Sequence, residues 1–446
     1  MTGRFFCALP LCVAAGQLLL AGDWPQFRGP QGDGHAAATG LPTTWGGFVH
    51  PPAWQAEIPG SGWSSPIAVG DRVWLTSAEQ TALTVEALRK KLSENPHGEL
   101  DFQAHASVTL FAVEVDAGSG KLLRRLDLIA WDDPPPIHVS NSYASPTPVT
   151  DGQRLYCHFG SLGTVGVDMG SGRVLWKRRF AVEEITGPGG SPVLDGELLI
   201  LACDGADQQF LVAVNKWTGD TVWRTPRPRI DAAEGALRRA FSTPLVVEYG
   251  GRRQLISAGA QWVVGYDPAS GRELWRASFG GGYAVVPRPV FRDGMVYVCT
   301  GYLKPELWAV RVDGSGDVTR THVAWRYDRQ VPEISSPVVV GNEIYFVSSK
   351  GVATCLEAES GRLLWQRRLG GNFAASPLAA DGKLYFSSEE GTTIVLLPGR
   401  EYRELARNQL FGRTLASLAV AGNSLLIRTD QLLYCVRQSP GPTGGR

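Results

Sequence analysis

The chain has 446 residues, with 43 Lys and Arg against 43 Asp and Glu, 53 Gly, 14 Trp and 7 Cys. Balanced charge excludes the basic stripe with which nucleic-acid binders neutralise phosphates, and it excludes an acidic disordered tail. Hydrophobic residues make up 43% and charged residues 19%, and Gly is well above the usual ~7%, so the chain reads as globular and turn-rich, with many short strands.

At the N-terminus a single cation, Arg4, precedes an apolar run from Phe5 to Ala21 that ends in small residues before Asp23. This is the pattern of a secretory signal peptide over residues 1–22; a retained membrane anchor is the competing reading. Cys7 follows Phe6 and Cys12 follows Leu11, so neither stands behind the small residue that lipid attachment needs. No later stretch reaches the ~18 apolar residues of a bilayer span. The mature protein is therefore expected to be exported, in the periplasm or cell envelope, with no transmembrane segment. Residues 23–51 form an N-terminal extension.

From residue 52 to 436 the chain repeats itself. A small residue before Pro, then a β-branched run and a turn, recurs at Ser65-Pro66, Ser145-Pro146, Ser191-Pro192, Thr243-Pro244, Arg288-Pro289, Ser336-Pro337 and Ser376-Pro377, with a degraded eighth copy at Ala416-Ser417-Leu418. The period, roughly 45 residues, is that of a four-stranded propeller blade. Further along each copy comes an acid or amide, Gly four on and Trp four beyond: Asp168-Gly172-Trp176, Asn215-Gly219-Trp223, Asp267-Gly271-Trp275 and Glu357-Gly361-Trp365. Asp116-Gly120 has Arg124 at the Trp position, and Asp313-Gly316 reaches Trp325 over a longer connection. This spacing describes a hairpin in which Asp or Asn bonds the backbone ahead of it and Gly takes a positive φ. One large aromatic per repeat points to packing between blades, with Trp54, Trp176, Trp223, Trp275, Trp325 and Trp365 as blade-docking residues.

The eighth repeat stops after Leu432-Leu433-Tyr434-Cys435-Val436, one strand short, and the strand around Trp54 is free to complete it. The expected fold is all-β, an eight-bladed β-propeller of four-stranded antiparallel blades, its ring closed by an N-terminal strand. Residues 437–446 are expected to form a disordered tail.

Two irregularities mark candidate sites. Residues 78–107 interrupt blade 1, and within them Val85, Leu88 and Leu92 share one face of a short helix; packing on the rim and binding a partner are both compatible with it. The stretch Asp132-Asp133-Pro134-Pro135-Pro136 stiffens the path to His138, Asn141 and Tyr143, and a similar polar set, Tyr302, Lys304 and Glu306, precedes the third strand of blade 5. These six residues are the candidate ligand-binding set at the channel mouth, against the alternative that they satisfy backbone groups in long loops. Outside the signal, Cys157, Cys203, Cys299, Cys355 and Cys435 form no CxxC pair, which speaks against a disulfide framework, and no Cys and His spacing marks a structural metal site.

The Asp-x3-Gly-x3-Trp copies after Ser-Pro strand starts resemble the repeats of the exported PQQ-like (pyrroloquinoline-quinone) eight-bladed propellers. With Asp23-Trp24-Pro25-Gln26-Phe27-Arg28-Gly29-Pro30 and Asn141-Ser142-Tyr143-Ala144-Ser145-Pro146 they are similar to the BamB-like subgroup. That resemblance implies an exported, non-catalytic binding or scaffold protein of the cell envelope. It is expected to be monomeric and to meet an envelope protein or a small molecule through its rim loops, with no nucleic acid. The alternative it implies is a PQQ-dependent oxidoreductase holding quinone and calcium at the central channel. The quinoprotein dehydrogenases carry two adjacent Cys over the quinone, and no two Cys are adjacent here.

Overall fold

The structure is a computed structural model that describes residues 22–47, 49–98 and 101–438. Almost all of the expected signal peptide, and most of the expected tail, lie outside the described residues. Eight four-stranded antiparallel sheets follow one another in chain order; two gain a fifth, parallel strand, Gly316–Asp317 on blade 4 and His35–Ala36 on blade 7. Blade 8 comprises Ala419–Ala421, Ser424–Arg428 and Leu432–Arg437, and its outer strand is Trp54–Glu57 from the other end of the repeat region, with Trp54 opposite Cys435 and Glu57 opposite Leu432. The two ends of the ring are therefore hydrogen-bonded to each other, and Leu432–Arg437 is not left as an open edge.

Each blade is assembled by local chemistry. In blade 2 the Asp168 carboxylate accepts from the backbone N–H and the hydroxyl of Ser171, at 2.8 and 2.7 Å, while Gly172 at φ +75° donates to the Asp168 carbonyl. Blade 1 repeats this with Asp116, Ser119 and Gly120. The turn glycine has a second duty. A Cβ on Gly219, Gly271, Gly361 or Gly120 would come within 2.7 Å of the ring of Trp176, Trp223, Trp325 or Trp54 from the preceding blade. Each of those indoles donates to the carbonyl one residue past the turn acid or amide: Trp176 to Lys216, Trp223 to Pro268, Trp325 to Ala358 and Trp54 to Ala117, at 2.9–3.0 Å. Trp365 reaches Gly399 of blade 7. Across its own sheet the indole needs a small neighbour, and it faces Gly166, Ala213, Ala309, Cys355 or Cys435. Two of the cysteines are thus small packing residues, and all five described cysteines are buried and free.

Three blades solve the same docking problem differently. In blade 1, Arg124 replaces the indole and donates to Met169 and Gly170 carbonyls of blade 2, its charge met by the buried Glu114 in its own sheet. Trp275 does not follow the expected pattern: it is fully buried but donates to Gln254 within blade 4, because the longer connection of blade 5 inserts Gly316–Asp317 beside its strand. Blade 7 has no outer-strand Trp. There Trp45 of the N-terminal extension sits 6.3 Å from Tyr385, as Trp176 sits 6.1 Å from Tyr156 and Trp365 6.0 Å from Tyr345.

The first strands line the channel, and a belt of hydrogen bonds links them. Backbone N–H groups of Ser65, Thr147 and Ser191 donate to the hydroxyls of Thr147, Ser191 and Thr243; those of Arg288, Ser336, Ser376 and Ser417 donate to Ser336, Ser376, Ser417 and Ser65. The belt corrects one register: the second repeat starts at Thr147-Pro148, not at Ser145-Pro146, because Thr147 is the residue that receives Ser65. The blade 1 strands also run further than expected, to Thr81 and from Ser107, and the helix between them is Val85–Ser93, capped by Thr84.

Candidate functional site

Residues 24–36 cross one end of the propeller and close it. The N–H and C=O of Trp24 pair with Ala68 of blade 1, the Pro25 carbonyl accepts from Thr150 of blade 2, and His35–Ala36 runs parallel to blade 7. Two arginines clasp this plug from both sides. Arg28 donates to the Asp33 carbonyl within the plug and to Pro337 of blade 6, both at 2.6 Å; Arg288 of blade 5 donates to Phe27 of the plug at 2.7 Å and to Pro244 of blade 4. Burial, countered in part by the field of Asp33, lowers the Arg28 pKa to about 10. Burial and the neighbouring Arg28 lower that of Arg288 to about 9. Both remain cations at neutral pH.

The channel is therefore a blind cavity of about 330 Å³, open on one face. Phe27 and the hydroxyl belt form its floor, and Trp63, Phe241, Val286, Ile334 and Leu415 its walls. At the mouth Arg413 pairs with Glu389 at 2.7 Å and lies 5.9 Å from the Trp63 ring centroid. Nearly all of these residues come from the connections that lead into first strands, which is why the walls change from blade to blade while the floor repeats.

The six candidate mouth residues separate into groups. His138 and Asn141 line the cavity. His138 is placed by pairing of Ile137–His138 with Phe102–Gln103 of the blade 1 insertion, and its Nδ1 lies 2.7 Å from the Ser140 hydroxyl. Asn141 donates to the Thr186 and Pro188 carbonyls and accepts from Ser145 and from the Ser142 N–H, so it fastens one loop to the next. Tyr143 is buried behind the wall and donates to Pro135; burial raises its phenol pKa. Tyr302, Lys304 and Glu306 stand apart, Lys304 and Glu306 on a separate depression between blades 5 and 6, where Glu306 accepts from Trp308. Loops joining second and third strands sit further out than those entering first strands. Sequence reasoning missed Phe27, Trp63 and the role of the belt, whose signal was the Ser or Thr that recurs at the repeat starts and is replaced at Arg288.

A calcium-held quinone does not fit these donors. The one carboxylate among the cavity-lining residues, Glu389, is ion-paired to Arg413, and the five described cysteines are separately buried. Among the described residues no group of three His, Cys, Asp or Glu is placed to share a metal ion.

The sequence profile of the family described as outer membrane protein assembly factor BamB matches residues 206–442. No curated protein matches the chain in sequence. Among solved structures, BamB from Moraxella catarrhalis is similar at 13% identity and TM-score 0.53, over 74% of this chain and 93% of that one. The quinohemoprotein alcohol dehydrogenase from Comamonas testosteroni is similar at 12% identity and TM-score 0.53, over 95% of this chain and 82% of that one. The computationally designed Ika8 protein reaches the same TM-score at 12% identity, over 85% and 98%. At such identities these likenesses concern the fold alone.

Proposed function

The chain belongs to the family of the outer membrane protein assembly factor BamB, and from that premise we propose that it is an exported, non-catalytic scaffold of the cell envelope that docks a protein partner on the mouth-side rim. The supporting observation is a set of exposed apolar side chains on the loops around the mouth: Phe411 at 76%, Leu303 at 66%, Val139 at 52%, Tyr302 at 50% and Ile334 at 42% exposure. A single exposed hydrophobe needs no explanation. Five on four loops of different blades, all on the open face, are what an interaction surface requires. Tyr302 of the candidate set, with its neighbour Leu303, thereby takes a role at the rim, not in the channel. The other face is occupied by the plug and by short turns, on which Trp217 at 38%, Tyr249 at 43% and Leu397 at 36% are exposed.

The test is genetic and biophysical together. In the native host, Leu303→Asp combined with Phe411→Asp is expected to reproduce the loss of outer-membrane proteins caused by deleting the gene, while the purified variant keeps its thermal midpoint. A wild-type phenotype from the double variant, or none from the deletion, would overturn the proposal.

A further inference from the structure

Seven hydroxyls meet at the channel floor: Ser65, Thr147, Ser191, Thr243, Ser336, Ser376 and Ser417. A hydroxyl has one proton to donate and lone pairs to accept with. On each of the seven, the accepting side is taken by a neighbouring blade's backbone N–H at 2.9–3.1 Å. Among the described residues none of the seven donates to a protein acceptor. All are 7% exposed or less, and all face the cavity. Seven hydroxyl donors thus line one cavity without a protein acceptor of their own among the described residues.

The nearby charge is positive on balance. One residue further along the first strands, the carbonyls of Pro337 and Pro244 hold the guanidiniums of Arg28 and Arg288, and neither has a carboxylate at ion-pairing distance. Asp33, whose carboxylate accepts the His35 N–H, is the acid whose field reaches both. At the mouth, Glu389 and Arg413 cancel as a pair. Convergent donors above two buried cations favour an anion and disfavour a metal ion. The walls above the floor include Trp63, Phe241, Val286, Ile334 and Leu415 beside His138 and Asn141, so they suit a largely apolar body attached to that anion.

We propose that the blind channel binds a small carboxylate, its oxygens taken by the hydroxyl ring and its body held between Trp63, Phe241, Ile334 and Leu415. A cluster of waters is the rival occupant, since water also accepts from hydroxyls. The site is independent of the rim: a failed rim variant leaves it intact, and its own failure leaves the docking proposal standing.

Calorimetric titration of the mature protein with sodium acetate, sodium benzoate and neutral benzamide, at fixed ionic strength, separates these occupants. We expect one benzoate per chain, binding at least about tenfold tighter than benzamide, with Ser376→Ala weakening it about tenfold and Ser376→Thr retaining it. Equal affinity for benzoate and benzamide, or a Kd above about 10 mM for both carboxylates, would overturn the proposal. Should Ser376→Ala fail to fold, bromide-soaked crystals of the wild type give a second readout. An anomalous peak within hydrogen-bonding reach of the ring supports the site, and bromide at the outer surface alone contradicts it.

Discussion

Gly219 and Gly250 have similar backbone conformations, φ +73° and +59°, but different surroundings: a Cβ on Gly219 would meet the Trp176 ring at 2.7 Å, and one on Gly250 would meet nothing within 4 Å. Ala at either position incurs the left-handed cost of about 1–2 kcal/mol. Only Gly219→Ala also displaces an indole, adding about 1–3 kcal/mol. Urea denaturation of the two variants is expected to show that gap; equal losses would mean that the turn glycines serve backbone geometry alone. Trp176→Ala, which empties the same wedge, should cost about 3–5 kcal/mol. Two titrating groups, the buried His158 of blade 2 and the half-buried Glu184 of the connection to blade 3, set opposite pH slopes. Burial lowers His158 from 6.5 to about 4, so its unfolded form takes up a proton first, and stability is lost as pH falls from 6.5 towards 4. Burial raises Glu184 from 4.5 to about 7, against the bonds it accepts from Ser161, and stability is lost as pH rises from 4.5 towards 7. The wild type should therefore show a shallow dependence. Glu184→Gln should leave the His158 slope, up to about 3 kcal/mol, and His158→Gln should reverse its sign; parallel curves for all three proteins would contradict the assignment.

At the scale of elements, what sequence reveals and what it hides follow from distance along the chain. The Asp-x3-Gly-x3-Trp turn is readable because every bond that shapes it is local, as the Asp168 and Ser171 contacts show. The closing strand was readable by subtraction, since a blade ending at Val436 lacks a partner that Trp54–Glu57 can supply. Ser145-Pro146 and Thr147-Pro148 look alike in sequence, and only the bond from Ser65 in another blade distinguishes them. Trp45 could not be assigned to blade 7 for the same reason: its docking partners, Asn408 and Tyr385, are hundreds of residues away. The candidate mouth residues share polar loops, yet radial position depends on which strands a loop joins. Removing residues up to 58 takes away the plug and the closing strand together, and should give aggregates on size-exclusion chromatography. Removing only residues up to 47 keeps Trp54–Glu57 paired and should leave a folded ring with an open channel and a lower midpoint. Identical behaviour of the two truncations would refute the separate roles of plug and closure.

For the whole molecule, the plug makes one face different from the other. It turns a through-channel into a pocket with a repeated polar floor and variable walls, and it leaves the mouth-side loops as the surface that differs most from blade to blade. Eight similar blades give rigidity through their wedges of core, so loops can carry function at little cost to the frame. The central claim is that this open face is where a partner docks. The most direct measurement is site-specific photo-crosslinking in the native envelope, with the probe placed at Leu303 and Phe411 on the mouth side and at Val222 and Leu363 on outer strands away from it, all exposed apolar positions. The account predicts one discrete crosslinked envelope protein from the two mouth-side positions and none from the other two. The same product from all four positions, or none from any, would contradict it.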